Sequence, residues 1–320
     1  MEISVVLATY NRAPSLRATL ESLATLSSPD NLSWELLVVD NNSNDSTLQV
    51  VEQFADNSSF PVRYIFERRQ GKSSALNAGV AQARGRIIAF TDDDVSLHPD
   101  WLSEIKSTFE RFDCAAVAGR IIPVWDQPKP DWLDMRGQFA VVNFELGDEF
   151  KEIQQPPIGA NSAFRRDVFQ RHGLFRLDLG PTESKHTITC EDTEFGDRLI
   201  KAGEKVVYCP RAIVYHPVDP RRATKTYFLS WYYYNGISVI RTSGLPTEGI
   251  LYFGVPRWLF RELLAKIRSW LCTVNQYDRF QRKLRVWQSI GTIVECYRLS
   301  HAAVSDLSPR KLSKESIMRS

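Results

Sequence analysis

Ile87-Ile88-Ala89-Phe90-Thr91-Asp92-Asp93-Asp94 sets a short, mostly apolar run directly against three consecutive carboxylic acids. A buried strand that ends this way is costly, because neighbouring carboxylates repel and raise one another's pKa unless a cation joins them. The stretch predicts a strand whose carboxyl end holds something positive.

Four more runs share its character: Ser4-Val5-Val6-Leu7-Ala8, Leu36-Leu37-Val38-Val39, Val62-Arg63-Tyr64-Ile65 and Ala115-Ala116-Val117-Ala118. Helix-length amphipathic segments separate them, Ser15 to Leu26, Ser46 to Ala55, Ser73 to Ala83 and Asp100 to Phe112. Apolar strands alternating with helices predict an α/β fold whose parallel sheet is covered on both faces. Ligands then gather at the carboxyl ends of the strands. Each end is polar: Thr9-Tyr10-Asn11-Arg12, Asp40-Asn41-Asn42-Ser43, Glu67-Arg68-Arg69-Gln70-Gly71-Lys72, and the aspartate triplet. Any one of these reads equally well as a turn or helix cap. Four together, with acids and bases mixed, favour a site for a phosphorylated ligand.

The 320 residues, 43% hydrophobic and 24% charged, suffice for one large domain plus an appendage. Five widely spaced cysteines form no C-x-x-C pair, which suggests neither a disulfide framework nor a zinc site. Met1-Glu2 leads straight into the first strand, so no cleaved export signal is expected and a cytoplasmic location is. The net charge of +2 hides an asymmetry: residues 1–220 carry 23 Lys+Arg against 32 Asp+Glu, and 221–300 carry 13 against 4. The expected organisation is a catalytic domain over 1–220, a helical basic amphipathic extension over 221–300 and a polar, disordered tail over 301–320.

Several motif matches fail. Gly71-Lys72-Ser73 resembles the end of a P-loop, but Phe66 stands where its first glycine belongs. An EF-hand begun at Asp92 would have Leu97 at the glycine position and Ser103 at the final glutamate. No G-x-G-x-x-G follows a strand. What survives is D-x-D, Asp92 and Asp94, two carboxylates able to share one hard divalent cation beside a diphosphate. By itself a D-x-D is more commonly a solvated turn with an aspartate cap.

In context the chain resembles a family 2 glycosyltransferase with the GT-A fold. The likeness rests on Val5 to Arg12, Val38 to Ser43, Gly71-Lys72-Ser73-Ser74-Ala75-Leu76-Asn77-Ala78-Gly79, Thr91 to Asp94 and Glu191-Asp192, in order over about residues 3–216. It implies a GT-A type, mostly parallel sheet flanked by helices, and an inverting transfer from a nucleotide-diphosphate donor, a UDP-sugar, to a hydroxyl. By the same resemblance Thr9, Tyr10, Asn11 and Arg12 border the nucleotide and Asp40 reads the base. Lys72 and Asn77 lie near ribose and diphosphate, and Asp93 near ribose or sugar. Asp92 and Asp94 would hold Mn²⁺ or Mg²⁺, with His216 as a further metal or diphosphate contact or simply a packed imidazole. Asp192 would be the base, with Glu191 and Asn161 beside sugar and acceptor. Each acid has its plainer alternative as a helix or turn cap. A nucleotidyltransferase and a noncatalytic nucleotide-sugar-binding protein are the rival functions.

A helix from Thr193 to Ala202 is expected to stop at Gly203. Beyond Pro220, Trp258, Leu259, Leu263, Leu264, Ile267, Trp270 and Leu271 recur at helical spacing opposite Arg257, Arg261, Lys266 and Arg268. That helix either lies in an anionic membrane interface or packs on protein, and the aromatic run Tyr227 to Tyr234 either stacks on sugar or packs in a core. The expected partners are a nucleotide-sugar donor, a glycan or lipid-linked acceptor and a peripheral contact at the inner membrane face, with no nucleic acid.

Overall fold

The computed structural model describes residues 1–27, 32–133, 139–182, 190–246 and 248–306. They form two units, Met1–Thr224 and Lys225 onward. Of the polar tail expected over 301–320, residues 301–306 are helical rather than disordered, and the rest lies outside the described residues.

In the first unit, β1 (Ile3–Thr9), β2 (Trp34–Asp40), β3 (Val62–Phe66) and β4 (Ile87–Thr91) are parallel neighbours. They alternate with α1 (Ala13–Ala24), α2 (Thr47–Asp56) and α3 (Lys72–Gln82). A two-residue strand β5 (Ser96–Leu97), α4 (Trp101–Arg111) and β6 (Ala116–Val124) follow. After β7 (Lys151–Ile153) come β8 (Asn161–Arg165), α5 (Arg166–His172), α6 (Glu191–Lys201) and β9 (Val206–Pro217). The sheet order is β3-β2-β1-β4-β8-β6-β9-β5, with β7 on β9. β8 runs antiparallel between β4 and β6, and β6 is parallel to β9. The sheet is therefore mostly parallel and flanked by helices, as expected. The antiparallel β8 is not among the strands that the apolar runs predict.

β1 and β2 are buried along nearly their whole length, as central strands covered on both faces must be. Glu35, the second residue of β2, is a fully enclosed charge. It is satisfied by Arg63 at 3.2 Å, the Ser4 hydroxyl at 2.8 Å and the Arg84 N–H at 2.9 Å. On one face of the sheet Phe90 of β4, Phe164 of β8, Phe169 of α5, Phe175 and Phe195 of α6 form a single aromatic cluster. Phe169 stacks on Phe195 at 4.9 Å and Phe175 meets Phe90 edge-on at 5.5 Å. The cluster fastens the strand that ends in the aspartates to the helix that begins with Glu191. That helix starts two residues earlier than its sequence suggested, and Gly203, at φ +83°, follows it in the left-handed conformation expected.

The second unit holds α7 (Lys225–Ser243), a hairpin of β10 (Leu251–Tyr252) and β11 (Val255–Pro256), α8 (Arg257–Leu271) and α9 (Gln276–Asp306). α9 packs against both α7 and α8. A Cβ on Gly236 or Gly291 would stand 2.0 Å from a carbonyl of the facing helix, so the α7–α9 crossing depends on both lacking one. The aromatic run lies in α7, with Phe228 fully buried. In α8, Leu259 is buried and Trp270 meets Trp287 of α9 at 6.3 Å, while Trp258, Leu264 and Leu271 face outward. The apolar stripe thus divides between packing and exposure. The hairpin turns on Phe253 (φ +52°) and Gly254 (φ +75°), a two-residue pattern that asparagine and glycine usually fill. A bulky side chain in that conformation costs about 1 kcal/mol. No described helix is long and apolar enough to cross a membrane.

Candidate active site

Strand register assembles the site. Thr9 lies opposite Asp40 and Asp40 opposite Phe66, so the ends of β1, β2 and β3 are level. Leu7 lies opposite Thr91, which carries Asp93 level with Thr9. The Thr9 hydroxyl donates to Asp93 at 2.7 Å, and Arg12 donates to Asp93 at 3.1 Å and to Asp94 at 2.9 Å. The positive partner that the triplet demands is in the first place the protein's own. Asp93, 5% exposed, is committed to these internal bonds, and so is the Thr9 hydroxyl; neither presents a free side chain as the donor contact expected of it.

Lys72, opening α3, donates to Asp92 at 2.7 Å and lies 3.9 Å from Glu191. Burial works against its ammonium, but Asp92 and Glu191 hold the charge and lift its pKa well above the usual lysine range. Burial likewise opposes ionisation of Asp92, yet Lys72 outweighs it and holds the carboxyl below its ordinary value. Burial pushes Glu191 upward, with Asp192 adding repulsion. Asp192 accepts the Gly159 N–H at 2.7 Å on one oxygen and the Thr193 N–H at 2.7 Å on the other. Asp192 lies inside the first turn rather than at the cap position, and the two bonds fix its carboxylate plane while leaving lone pairs on both oxygens.

Asp92, Asp94 and His216 bring one ligand atom each to within 4.8 Å of one another. His216 Nδ1–H donates to the Pro217 carbonyl at 3.0 Å, which leaves Nε2 facing Asp94 at 3.6 Å. Two carboxylate oxygens and an imidazole nitrogen with its other nitrogen anchored form a donor set suited to Mn²⁺ or Mg²⁺. Five carboxyl groups, Asp92, Asp93, Asp94, Glu191 and Asp192, share this region with Arg12 and Lys72, so negative charge is in excess. The residues fit a divalent cation.

Around this centre, Asp40 accepts the Ser43 N–H at 2.9 Å and the Tyr64 hydroxyl at 2.7 Å, realising its turn role. Burial, then Asp40 itself, keeps that phenol protonated well above its usual range. Asn11 stands in the left-handed region at φ +51°, accepts the Asn44 N–H and donates its own N–H to Ser43, tying the first two strand ends together. Tyr10 sits between Thr9 and Asn11, half-buried. Asn41, which the sequence placed at the edge without a role, bonds the carbonyls of Glu67 and Arg69 and the N–H of Gly71, and so sets the loop that delivers Lys72. Neither Tyr64 nor Asn41 carried a signal beyond lying near a strand end. Cys190, at φ +79° just before Glu191, is a strained residue of the kind that collects at functional sites.

Two residues expected beside the ligand are bonded within the protein. Asn77 bonds the Phe175 backbone through both its oxygen, at 3.0 Å, and its nitrogen, at 2.8 Å. Asn161 is 1% exposed; its amide nitrogen donates to the Arg120 and Ala212 carbonyls and its oxygen accepts the Trp101 indole N–H at 2.8 Å. It clamps β6, β9 and α4 rather than facing a ligand. Asn161→Ala strands three buried polar groups and is expected to cost roughly 3 kcal/mol of stability, read as a lower urea midpoint with an unchanged slope.

Burial, against the pull of Arg12, pushes Asp93 up to about 6. A folded value above the unfolded one, near 4, means that Asp93 contributes stability in full below about pH 4 and loses it as pH rises through about 6. Comparing thermal midpoints in chelator from pH 4 to 7, Asp93→Asn is expected to show less of this decline than wild type.

The model of Glycosyl transferase family 2 matches residues 4–173. The succinoglycan biosynthesis protein ExoM of Rhizobium meliloti is 28% identical over 232 residues, covering 72% of this chain and 70% of its own. The glucosyl-dolichyl phosphate glucuronosyltransferase of Haloferax volcanii is 29% identical over 244 residues, covering 74% and 76%. In fold, the chain is similar to the mannosyltransferase PcManGT from Pyrobaculum calidifontis, solved with GDP-Man and Mn²⁺. The TM-score is 0.56 at 17% identity, over 99% of this chain and 80% of that one. The nucleotidyltransferase alternative is thereby set aside. With the family model covering more than half of the chain, including the ends of β1 to β4, the chain belongs to glycosyltransferase family 2, a glycosyltransferase that uses nucleotide-sugar donors.

Proposed function

We propose that the protein is an inverting, metal-dependent transferase that moves a sugar from a UDP-sugar to a hydroxyl of a glycan or lipid-linked acceptor, as a peripheral protein at the cytoplasmic membrane face. One observation carries the reading. The cluster Asp92, Asp94 and His216 and the acidic pair Glu191-Asp192 stand on one sheet edge, with Lys72 bridging Asp92 and Glu191. A transferase needs this division into a cationic side for the diphosphate and a carboxylate side for the acceptor proton.

Asp92, Asp94 and His216 would hold Mn²⁺ or Mg²⁺, which supplies charge neutralisation to the departing diphosphate. Lys72 exchanges Asp92 for a phosphate oxygen, and Arg12, nearly half exposed, offers its remaining donors to the same group. Asp40, at the end of β2, uses a remaining lone pair for the base N–H, and Tyr10, Asn11 and Asn77 belong to the surround of the nucleotide. Asp192, oriented by Gly159 and Thr193, takes the proton of the acceptor hydroxyl. Glu191 lies beside the sugar. A single displacement with base and leaving group on opposite sides inverts the anomeric carbon.

A screen of UDP-, GDP- and dTDP-sugars, following nucleoside diphosphate release with Mn²⁺ and with EDTA, tests the donor. Metal-dependent release from a UDP-sugar is the expected result. Release from another nucleotide instead would replace the base assignment, and equal release in EDTA would remove the metal. Anomeric coupling constants of the product read the inversion.

A further inference from the structure

We propose that the β10–β11 hairpin and the outward face of α8 form a docking surface for an anionic lipid bilayer, with Phe253 as its inserting tip. The inference rests on the peripheral membrane contact proposed above and not on the transferase chemistry. The chain places a run of four apolar residues, Ile250-Leu251-Tyr252-Phe253, on a hairpin where all four are exposed, Phe253 at 81%. Nothing in the fold requires this. A two-residue turn with both φ values positive is made most easily by asparagine and glycine, yet the first position holds a largely exposed aromatic ring in a strained backbone.

The hairpin continues into α8, where the Arg257 N–H donates to the Ile250 carbonyl at 2.8 Å. Trp258 stands exposed beside it, on the same outward face as Arg261, Leu264, Arg268 and Leu271. Among the described residues neither Arg261 nor Arg268 has a carboxylate within ion-pair distance, whereas Lys266, on the inner side, pairs with Glu262 and bonds Ser289 of α9. Exposed aromatic and aliphatic groups beside unpaired arginines match a bilayer surface. Rings and leucines enter the acyl boundary, and guanidinium groups meet phosphate headgroups. The segment 221–300, with 13 basic and 4 acidic residues, supplies the wider field.

The full-length protein is incubated with vesicles of phosphatidylglycerol and phosphatidylcholine, or phosphatidylcholine alone, and floated through a density gradient at low and at high salt. Wild type is expected to bind the anionic vesicles at low salt and to release at high salt. Phe253→Asn is expected to bind about tenfold more weakly while melting no lower than wild type, because asparagine accepts the turn conformation. Arg261→Gln with Arg268→Gln is expected to lose about thirtyfold. Both variants keep wild-type affinity for nucleoside diphosphate. If wild type ignores anionic vesicles, the peripheral membrane contact itself is lost. If wild type binds and Phe253→Asn binds equally well, the hairpin assignment alone falls. Concentration-dependent dimerisation abolished by Phe253→Asn, without vesicle binding, would overturn lipid in favour of a second copy of the chain.

Discussion

Asp192→Asn is expected to slow sugar transfer by about a thousandfold while leaving nucleoside diphosphate binding unchanged. The side chain keeps its size, but an amide has no basic lone pair for the acceptor proton. Both Asp192 oxygens accept backbone N–H groups, from Gly159 and Thr193, and the variant's single carbonyl oxygen serves only one of them. A stability loss of about 1–2 kcal/mol accompanies the change, so rates are compared well below both melting temperatures. Donor binding by titration separates loss of the base from loss of the site. Transfer at the wild-type rate by the folded variant would remove Asp192 from the mechanism.

Asp94→Ala is expected to weaken Mn²⁺-supported binding of nucleoside diphosphate by at least about a hundredfold and to abolish the difference between Mn²⁺ and EDTA. Asp94 faces His216 Nε2 and accepts from Arg12. Its loss removes one of three ligand groups, while Arg12 keeps Asp93. Calorimetric titration with and without metal reads the effect, and an unchanged metal dependence would count against the donor set. Chelation of wild type, by contrast, is expected to leave the melting temperature nearly unchanged, because Arg12 and Lys72 already neutralise much of the triplet's charge.

The apolar runs and their alternation with helices made the parallel half of the sheet legible, since central strands betray themselves by uninterrupted hydrophobicity. The converging polar ends followed from parallel topology alone. Long-range pairing did not. Nothing in Asn161-Ser162-Ala163-Phe164-Arg165 announces an antiparallel strand wedged between β4 and β6, because the choice of neighbour is made by residues far away in the chain. That strand buries Asn161 among three elements, which converts an expected sugar contact into a clamp. Asp93 illustrates the same limit at finer scale. Its partners Thr9 and Arg12 lie more than eighty residues earlier and are brought to it by register. Helical spacing in α8 set the apolar stripe opposite Arg261 and Arg268, but Trp258, Leu264 and Leu271 share the exposed face with them, because spacing carries no information on which part of the helix α9 covers.

The phenylalanine cluster beneath the site has a consequence for how such an enzyme changes over time. Phe90 and Phe195 belong to the two elements that carry the diphosphate-side acids and Asp192, and their rings are joined through Phe164, Phe169 and Phe175. In the proposed reaction the spacing between its two halves is thus set by the core, whereas most residues assigned to donor and acceptor lie on loops outside it. Donor and acceptor preferences can drift, or be re-engineered by randomising loop residues, while the chemistry keeps its geometry. Conversely, a single cavity in that core would damage catalysis on every substrate alike.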